Sequence, residues 1–342
     1  MTVKSQFDVA VVGATGLVGE TMLEILEERE FPVGTLHALA STRSAGKSLQ
    51  FGGRRVKVQD LAEFDFTGVD IALFSAGGSV SAEHAPRAGS AGCIVIDNTS
   101  HFRNEPDIPL VVPEVNPAAL AEYSGRNIIA NPNCSTIQMI LALKPIYDVA
   151  GLTRINVATY QAVSGAGRGL VETLAGQTAS LLNGRPADID GDGKPIAFNA
   201  IPHIGDFQAN GYTSEELKMV WETRKILEDD SILVNPTAVR IPVFYGHSEA
   251  IHIETREKIT AGQVRDLLSR APGVTVLDDA CLGGYPTAVT EAARNDAVFV
   301  GRIREDISHD LGISMWVVAD NVRKGAALNS IQIAEILVRD YL

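Results

Sequence analysis

The sequence has few cysteines, a shortage of cations and no long apolar run, and each shortage excludes a class of protein. Only three of its 342 residues are cysteine, without paired spacing, so we expect free thiols rather than a disulfide framework. Lys and Arg total 29 against 42 Asp and Glu, and the net charge of −13 disfavours nucleic acid or a membrane as partner. No apolar run approaches the roughly 18 residues of a spanning helix. The first residues pass directly into a strand pattern, so we expect no signal peptide and a soluble, cytoplasmic protein.

The composition instead predicts about two globular domains. Hydrophobic residues make up 45% of the chain and charged residues 21%, which excludes wholesale disorder. In the first part, short apolar strands alternate with helical or turn-rich stretches; the strand candidates are 36–40, 54–58, 70–75, 93–97, 110–112 and 127–130, after a first strand at 7–12. This alternation predicts an N-terminal doubly wound, Rossmann-type parallel sheet over 1–132.

The texture changes after residue 132, where longer alternating runs predict a sheet with one face covered. These runs lie at 154–163, 237–244, 249–256, 274–278, 297–304 and 313–319. We therefore expect a second, α+β domain over 133–321, with a helix predicted from Ser214 to about Leu227. The C-terminal stretch 322–342 carries an amphipathic helix that we expect to pack back on the first domain.

A glycine loop joins the first strand to the first helix. Gly13, Gly16 and Gly19 are spaced by three residues, which suits a tight turn and the close approach of a pyrophosphate to a helix N-terminus. A ligand-free turn could use the same glycines, but the flanking strand and helix favour a dinucleotide.

The end of the second strand favours NADP over NAD. An NAD site would place Asp or Glu there, but residues 40–47 read Ala-Ser-Thr-Arg-Ser-Ala-Gly-Lys. The hydroxyls of Ser41, Thr42 and Ser44 and the guanidinium of Arg43 suit a 2′-phosphate, although Arg43 could also be an ordinary solvated loop residue.

Cys134 is the cysteine with a chemical context. It follows Asn131-Pro-Asn133, after a short apolar strand, and precedes a helical pattern. Unpaired amides and the dipole at a helix N-terminus stabilise a thiolate, whereas about 3% of a free thiol is ionised at pH 7. Cys93 lies in an apolar strand and is predicted to be inert, and Cys281 has no comparable context.

Among the seven histidines, His247 and His252 need separate interpretations. His247 lies in Arg240-Ile-Pro-Val-Phe-Tyr-Gly-His-Ser-Glu249, predicted as a turn between two strands, where it could be an acid–base partner or a structural loop residue. His252 alternates with isoleucines and is predicted on the solvent side of a strand. The run 188–193 has the acids and glycine that open a calcium loop, but Asn199 occupies its twelfth position, so we predict an acidic surface turn and no metal site.

Together with Tyr160-Gln-Ala-Val-Ser-Gly-Ala-Gly167 and Asn131-Pro-Asn-Cys-Ser-Thr-Ile-Gln-Met139, these motifs resemble the aspartate-β-semialdehyde dehydrogenase family along essentially the full length. The resemblance implies NADPH-dependent reduction of β-aspartyl phosphate to aspartate β-semialdehyde and phosphate through a cysteine thioester. This reaction serves the biosynthesis of lysine and diaminopimelate, threonine and methionine. The resemblance also implies a homodimer formed through the second domain.

The resemblance assigns roles residue by residue. Cys134 would be the nucleophile, His247 the acid–base group, and Gln161 would orient the substrate. Arg240 and Glu215 would hold the substrate's α-carboxylate and amino groups, and Arg103 and Lys218 its phosphate. Arg103 follows the 93–97 strand, and we expect it to be a solvated loop cation. The cofactor site would consist of Gly13, Thr15, Gly16, Leu17, Val18, Gly19, Ser41, Thr42, Arg43, Ser44, Ser164, Gly165 and Asn321.

Three other functions remain open at this stage. An N-acetyl-glutamyl-phosphate reductase would use the same thioester chemistry, although Glu215 beside Arg240 favours a substrate with a free ammonium group. A cysteine hydrolase would leave the glycine loop unexplained. A dinucleotide-sensing protein without catalysis is the third, and replacement of Cys134 discriminates it.

Overall fold

A computed structural model of the chain describes residues 4–189 and 193–342, and it contains fourteen strands and seven α-helices. The strands are β1 (Phe7–Val12), β2 (Val33–Ala40), β3 (Ser48–Phe51), β4 (Arg54–Lys57), β5 (Gln59–Asp60), β6 (Ile71–Phe74), β7 (Ile94–Asp97), β8 (Ile128–Ala130), β9 (Leu152–Gln161), β10 (Leu233–Arg240), β11 (His247–Thr255), β12 (Val274–Val276), β13 (Val298–Glu305) and β14 (Gly312–Ala319). The helices are α1 (Leu17–Glu28), α2 (Gly78–Ser90), α3 (Cys134–Ala150), α4 (Arg168–Leu182), α5 (Ser214–Leu227), α6 (Ala261–Leu268) and α7 (Leu328–Asp340). Among the described residues, none of the helices is both long enough and apolar enough to cross a bilayer.

The chain divides into two compact units. The first comprises Met1–Asn133 with Ala326–Leu342, and the second comprises Cys134–Gly325. The calcium-like run at 188–193 includes residues 190–192, which lie outside the described part of the chain.

The first unit contains a six-stranded parallel sheet in the order β5-β2-β1-β6-β7-β8. The chain starts at β1 in the middle, winds outward through β2 to β5, then returns to β6 and winds the other way. This reversal is the doubly wound topology that the alternating pattern predicts, and ligands bind such sheets where the winding reverses, at the carboxyl ends of the strands. The glycine loop follows β1 at this edge.

Apolar side chains from the strands and from α1 and α7 form the core of this unit. Residues such as Val9, Ile25 and Leu73 are buried together with Ile331 and Leu337 of α7. The C-terminal helix therefore packs on the first unit, as its amphipathic pattern predicts. Its last-turn neighbour Tyr341 also meets the ring of Tyr123 edge to face.

Two strand predictions in this unit need correction. The segment 54–58 is extended, but β4 pairs with β3 in a separate hairpin rather than joining the parallel sheet. The segment 110–112 forms only an isolated bridge, between Leu110 and Ala130. Its apolar residues are buried, so the burial signal is correct although the segment does not form a full strand.

The second unit contains a mixed six-stranded sheet in the order β10-β9-β11-β14-β13-β12. β9 pairs with β10 in parallel and with β11 antiparallel, and β11, β14 and β13 continue antiparallel. Helices α3, α5 and α6 pack on these strands. The predicted α+β organisation is therefore confirmed.

Alternation along β11 shows which side chains face the helices. His247, Glu249 and Ile251 are buried, whereas His252 is exposed as predicted. Because side chains alternate across a strand, His247 and Glu249 lie on the same face of the sheet. The other face carries a groove.

A capping box begins α5 and places Glu215 in its first turn. The Thr213 hydroxyl accepts from the Glu216 amide, and the Glu216 carboxylate accepts from the Thr213 amide. The helix runs from Ser214 to Leu227, which matches its predicted bounds. These bonds fix the register of Glu215 and Lys218 on the same helix face.

Candidate active site

Cys134 is the first residue of α3 and is partly exposed. Its sequence context therefore predicts its place correctly. The backbone of Gly325 lies directly against it, since a Cβ on Gly325 would come within 2.8 Å of the Cys134 Cβ. A glycine at 325 is thus required for the nucleophile to keep its position. By contrast, Cys93 is fully buried, and burial raises the pKa of its thiol to about 12.

His247 is the first residue of β11 and not part of a turn, which corrects the sequence prediction. Its side chain is fully buried, and its Nδ1 accepts a hydrogen bond of 3.0 Å from the backbone N–H of Ala162. An atom that accepts from an N–H carries no proton itself, so the ring proton lies on Nε2. Burial, together with the positive charge of Arg240, lowers the pKa of His247 from 6.5 to about 3. The imidazole is therefore neutral at neutral pH.

Gln161, the last residue of β9, lies between His247 and Glu215. Its Nε2 donates to Glu215 Oε1 at 3.2 Å and lies 3.4 Å from His247 Nε2. Both nitrogens of the second contact carry protons, so it is a contact rather than a hydrogen bond. The Thr159 hydroxyl donates to Gln161 Oε1 at 3.0 Å and sets the orientation of the carboxamide.

Glu215 and Lys218 form an ion pair one turn apart on α5. Lys218 Nζ lies 3.0 Å from Glu215 Oε2, and Glu215 is only 7% exposed. The second unit thus brings Gln161, His247, Glu215 and Lys218 into one polar cluster.

Arg240 adds a buried cation to this cluster from the end of β10. Its Nη1 donates to the Ala162 carbonyl at 2.6 Å. Burial lowers the pKa of Arg240, and the negative charges of Cys134 and Glu215 act in the opposite direction. Gly165 leaves the room that these groups need, because a Cβ there would lie 3.2 Å from both Arg240 Nη1 and His247 Nε2.

Asn321 holds Ser164 and the residue before His247. Its Nδ2 donates to the Ser164 hydroxyl at 2.9 Å, and its Oδ1 accepts from the Gly246 amide at 2.9 Å. Gly246 has a φ of 89°, which favours glycine. Asn321 and Ser164 therefore meet as neighbours, although 157 residues separate them.

Arg103 belongs to the first unit. The prediction that it is a solvated loop cation is wrong. It is 6% exposed, and its Nη2 donates to the Asn98 carbonyl at 2.9 Å. Asp97, just before Asn98, accepts bonds from Ser81 and Thr99 and anchors the start of this loop. These bonds hold the loop from Asp97 to Arg103, and with it the guanidinium, in a fixed position.

The glycine loop has the close packing that a dinucleotide site requires. Gly13 has a φ of 88°, and a Cβ on Gly19 would lie 2.2 Å from the Gly13 carbonyl oxygen. Gly16 is exposed at the N-cap of α1, where amides remain available to an anion. Thr15, Leu17 and Val18 are partly exposed beside it. These residues fit a pyrophosphate.

The loop after β2 fits a further anion. Ser41, Thr42 and Arg43 are exposed immediately beyond Ala40, and Ser44 is buried, its amide bonded to the Ser41 carbonyl at 2.8 Å. The segment 40–47 contains no acid that could hold a ribose 2′-hydroxyl.

Two supporting groups could not have been found from residue type. The backbone of Ala162 donates its N–H to His247 and accepts from Arg240 with its carbonyl, but alanine carries no sequence signal for this role. Glu249 is fully buried, which raises the pKa of its carboxyl well above 4.5 despite nearby Gln138. Its position two residues after His247, on an alternating strand, was the available signal. Within residues 4–189 and 193–342, no group of three or more His, Cys, Asp or Glu side chains could hold a metal ion.

Two family descriptions match the chain. "Semialdehyde dehydrogenase, NAD binding domain" matches residues 8–123, and "Semialdehyde dehydrogenase, dimerisation domain" matches residues 143–324. A curated relative, aspartate-semialdehyde dehydrogenase of Legionella pneumophila, is 62% identical over 335 residues, which cover 98% of this chain and 96% of the relative.

Solved structures give the same result. Aspartate semialdehyde dehydrogenase II from Vibrio cholerae, complexed with ASA, has a TM-score of 0.97 and 62% identity, covering 99% of this chain and 100% of that one. The Candida albicans aspartate semialdehyde dehydrogenase with NADP has a TM-score of 0.75 and 27% identity, covering 97% and 98%.

Proposed function

Because the chain belongs to the aspartate-semialdehyde dehydrogenase family, we propose that it reduces β-aspartyl phosphate with NADPH to aspartate β-semialdehyde and phosphate, through a thioester on Cys134. The observation that carries the proposal is the grouping of Arg240 with the neutral, Nε2-protonated His247. Cys134 is close enough to Arg240 that its negative charge, as a thiolate, acts to raise the pKa of the guanidinium. The complex of the Vibrio cholerae relative with ASA supports this substrate.

The first step is attack by the Cys134 thiolate on the acyl carbon. The C–S bond forms and the bond from carbon to the phosphate oxygen breaks, so phosphate leaves with the electron pair. The thiolate is favoured by the N-terminus of α3 and by buried Arg240. We assign Arg103 and Lys218 to the phosphate, since cations stabilise its developing charge. The ion pair of Lys218 with Glu215 fits a site that binds a phosphate and an ammonium group side by side.

His247 acts first as a hydrogen-bond donor. With its proton on Nε2 and its Nδ1 accepting from Ala162, the ring can donate to the substrate's carbonyl oxygen as negative charge develops there. In its acid–base role, which the family implies, the same nitrogen exchanges protons with the reacting oxygen. Gln161, held by Thr159 and Glu215, orients the substrate beside this ring.

Arg240 and Glu215 would recognise the α-carboxylate and the α-amino group of the substrate. Both are at least nine-tenths buried, and they carry the opposite charges that a zwitterionic substrate requires. A blocked amine carries no charge that Glu215 could bind, which is why the N-acetylated alternative is disfavoured.

The cofactor is proposed to be NADP(H). The packing of Gly13 and Gly19, the exposed N-terminus of α1 and the acid-free loop at Ser41–Ser44 fit it, and a relative from Candida albicans is described with NADP. When bound, the nicotinamide supplies the hydride that reduces the thioester. Ser164, Gly165 and Asn321 are proposed to line the same site.

We also propose that two copies associate through the open face of the second sheet. A groove of about 360 Å³ lies there, lined by Ser248, Ala250 and His252 of β11 and by Trp316 of β14. The family description of residues 143–324 as a dimerisation domain supports this assignment. Replacing Ala250 with Arg would put a charge in the groove. We expect wild-type homodimers and Ala250→Arg monomers in sedimentation analysis, and an unchanged mass would contradict this interface.

The proposal includes a cytoplasmic location and a place in lysine and diaminopimelate, threonine and methionine biosynthesis, in keeping with the family. The decisive assay follows NADPH formation from aspartate semialdehyde, NADP and phosphate. We expect activity that requires phosphate and that is much weaker with N-acetyl-glutamate semialdehyde. A preference for the acetylated substrate would favour the reductase alternative, and activity without phosphate would contradict the acyl-phosphate mechanism.

A further inference from the structure

A chain of three carboxamides, two of them fully buried, crosses the first unit. Asn329 of α7 donates from Nδ2 to Asn131 Oδ1 at 2.7 Å and to the Val111 carbonyl at 3.0 Å. Asn131 in turn donates from Nδ2 to Asn98 Oδ1 at 2.7 Å. Asn329 and Asn131 are both fully buried. Asn131 therefore accepts from Asn329 and donates to Asn98, which fixes the orientation of its carboxamide.

The amide chain joins two segments that the proposed reaction uses. The Asn98 carbonyl accepts from Arg103 Nη2 at 2.9 Å, so the last amide belongs to the residue that holds the phosphate-binding cation. Asn131 lies three residues before Cys134, in the segment that leads directly into α3. The backbone adds a second tie, because the Asn131 amide donates to the Asp97 carbonyl at 2.8 Å.

The third member comes from the far end of the sequence. Asn329 is 198 residues from Asn131 and lies on a helix that also buries Leu328, Ile331 and Ile333. A buried amide costs stability unless its bonds are made. Packing of α7 could be achieved with an apolar residue at this position, so the polar side chain needs another reason.

We propose that Asn329, Asn131 and Asn98 are positioning residues that hold the Arg103 loop in register with the segment carrying the nucleophile, so that phosphate and thiol are matched. This inference rests on the proposed function. Loss of the amide chain should lower the affinity for phosphate. It should leave the binding of NADP unchanged, because the glycine loop follows a different strand, β1.

The test uses Asn329→Leu, which keeps the branched shape but removes the donors, and Asn98→Ala, which removes the acceptor and keeps the carbonyl that binds Arg103. We expect either change to raise the KM for phosphate about 5- to 30-fold in aspartate semialdehyde oxidation, with the KM for NADP nearly constant. The double variant should resemble the worse single variant, since both break the same chain. Gln332→Ala is the matched control on α7, because Gln332 bonds to Glu114 instead, and it should behave as wild type.

Two outcomes overturn the inference: an unchanged KM for phosphate in a folded variant, or equal rises in the KM values for phosphate and NADP. If Asn329→Leu does not fold, the half-buried Asn98→Ala decides alone. If the wild type shows no phosphate-dependent activity, the proposed function fails, and alkylation of Cys134 by iodoacetamide then tests the positioning separately. In a Cys281→Ser background, which removes the exposed thiol, slower alkylation in both variants supports the inference and an unchanged rate overturns it.

Discussion

The folded protein should become less stable as the pH falls from 7 to 5, because His247 can take up a proton only in the unfolded chain. Burial, assisted by Arg240, lowers the pKa of the folded protein's imidazole from 6.5 to about 3. The folded protein therefore keeps this ring neutral throughout the range, whereas the unfolded chain gains a proton as the pH falls below 6.5. Because the unfolded state binds more protons, the stabilisation is complete above pH 6.5 and is lost as the pH falls towards 3.

The magnitude follows from the two pKa values. Between pH 7 and pH 5 the unfolded state gains about 2 kcal/mol from this one proton, and the full difference of 6.5 against about 3 corresponds to roughly 5 kcal/mol. A change of about 2 kcal/mol is a large part of the stability of a typical domain.

The matched variant is His247→Asn, since an asparagine oxygen can still accept from the Ala162 N–H but does not titrate. Urea unfolding at pH 7, 6 and 5 gives the free energy of unfolding of both proteins. We expect the wild type to lose about 2 kcal/mol more than the variant over this range. His309→Asn, the same substitution at an exposed position between β13 and β14, is the matched control.

A constant difference between wild type and His247→Asn from pH 7 to pH 5 would refute this reasoning. It would mean that the ring takes up its proton equally in the folded and unfolded states, so that burial does not lower the pKa of His247.

Three further substitutions test the cofactor preference, the phosphate site and the buried carboxyl of β11. Arg43→Ala should remove much of a preference for NADPH over NADH of about 10- to 150-fold, measured as the ratio of KM values, and equal use of both cofactors by the wild type would contradict the NADP assignment. Arg103→Leu should raise the KM for phosphate sharply and, because the guanidinium is buried and bonded to Asn98, should also lower the melting temperature; a stability loss with unchanged phosphate dependence would make Arg103 purely structural. Glu249→Gln should raise the melting temperature at pH 8 and change it little at pH 4.5. Burial raises the pKa of this carboxyl, so the wild type loses stability relative to the unfolded chain as the pH rises above 4.5. An equal shift at both pH values would show that burial does not raise the pKa of Glu249.

Local patterns predicted the elements whose residues carry their own signal. The glycine spacing gave the β1–α1 turn, and the apolar run before Cys134 with the helical pattern after it gave the start of α3. Helix α5 matched its predicted bounds because Thr213 and Glu216 form a capping box that the sequence spells out.

Elements set by long-range pairing were not predictable in this way. Residues 54–58 are extended, but only the tertiary structure decides that they pair with β3 rather than with the parallel sheet. His247 was predicted in a turn because Pro242 and Gly246 precede it, whereas β11 already begins at His247 through pairing with β14.

The site was partly predictable for the same reason. Chemically reactive side chains stand out by type, but their supports do not: Ala162 acts through its peptide, and Asn131 meets Asn329 only after the chain has returned to the first unit. The prediction that Arg103 is solvated was wrong. It assumed that a loop residue is exposed, whereas the turn at Asp97 places Arg103 where it bonds to the Asn98 carbonyl.

The thioester on Cys134 can be observed by trapping the acyl-enzyme. The protein is mixed with β-aspartyl phosphate in the absence of NADPH, and the peptide containing Cys134 is analysed by mass spectrometry. We expect one aspartyl group on the Cys134 sulfur in the wild type, its disappearance when NADPH is added, and neither adduct nor turnover in Cys134→Ala. Turnover by Cys134→Ala, or an adduct on a residue other than Cys134, would contradict the thioester mechanism.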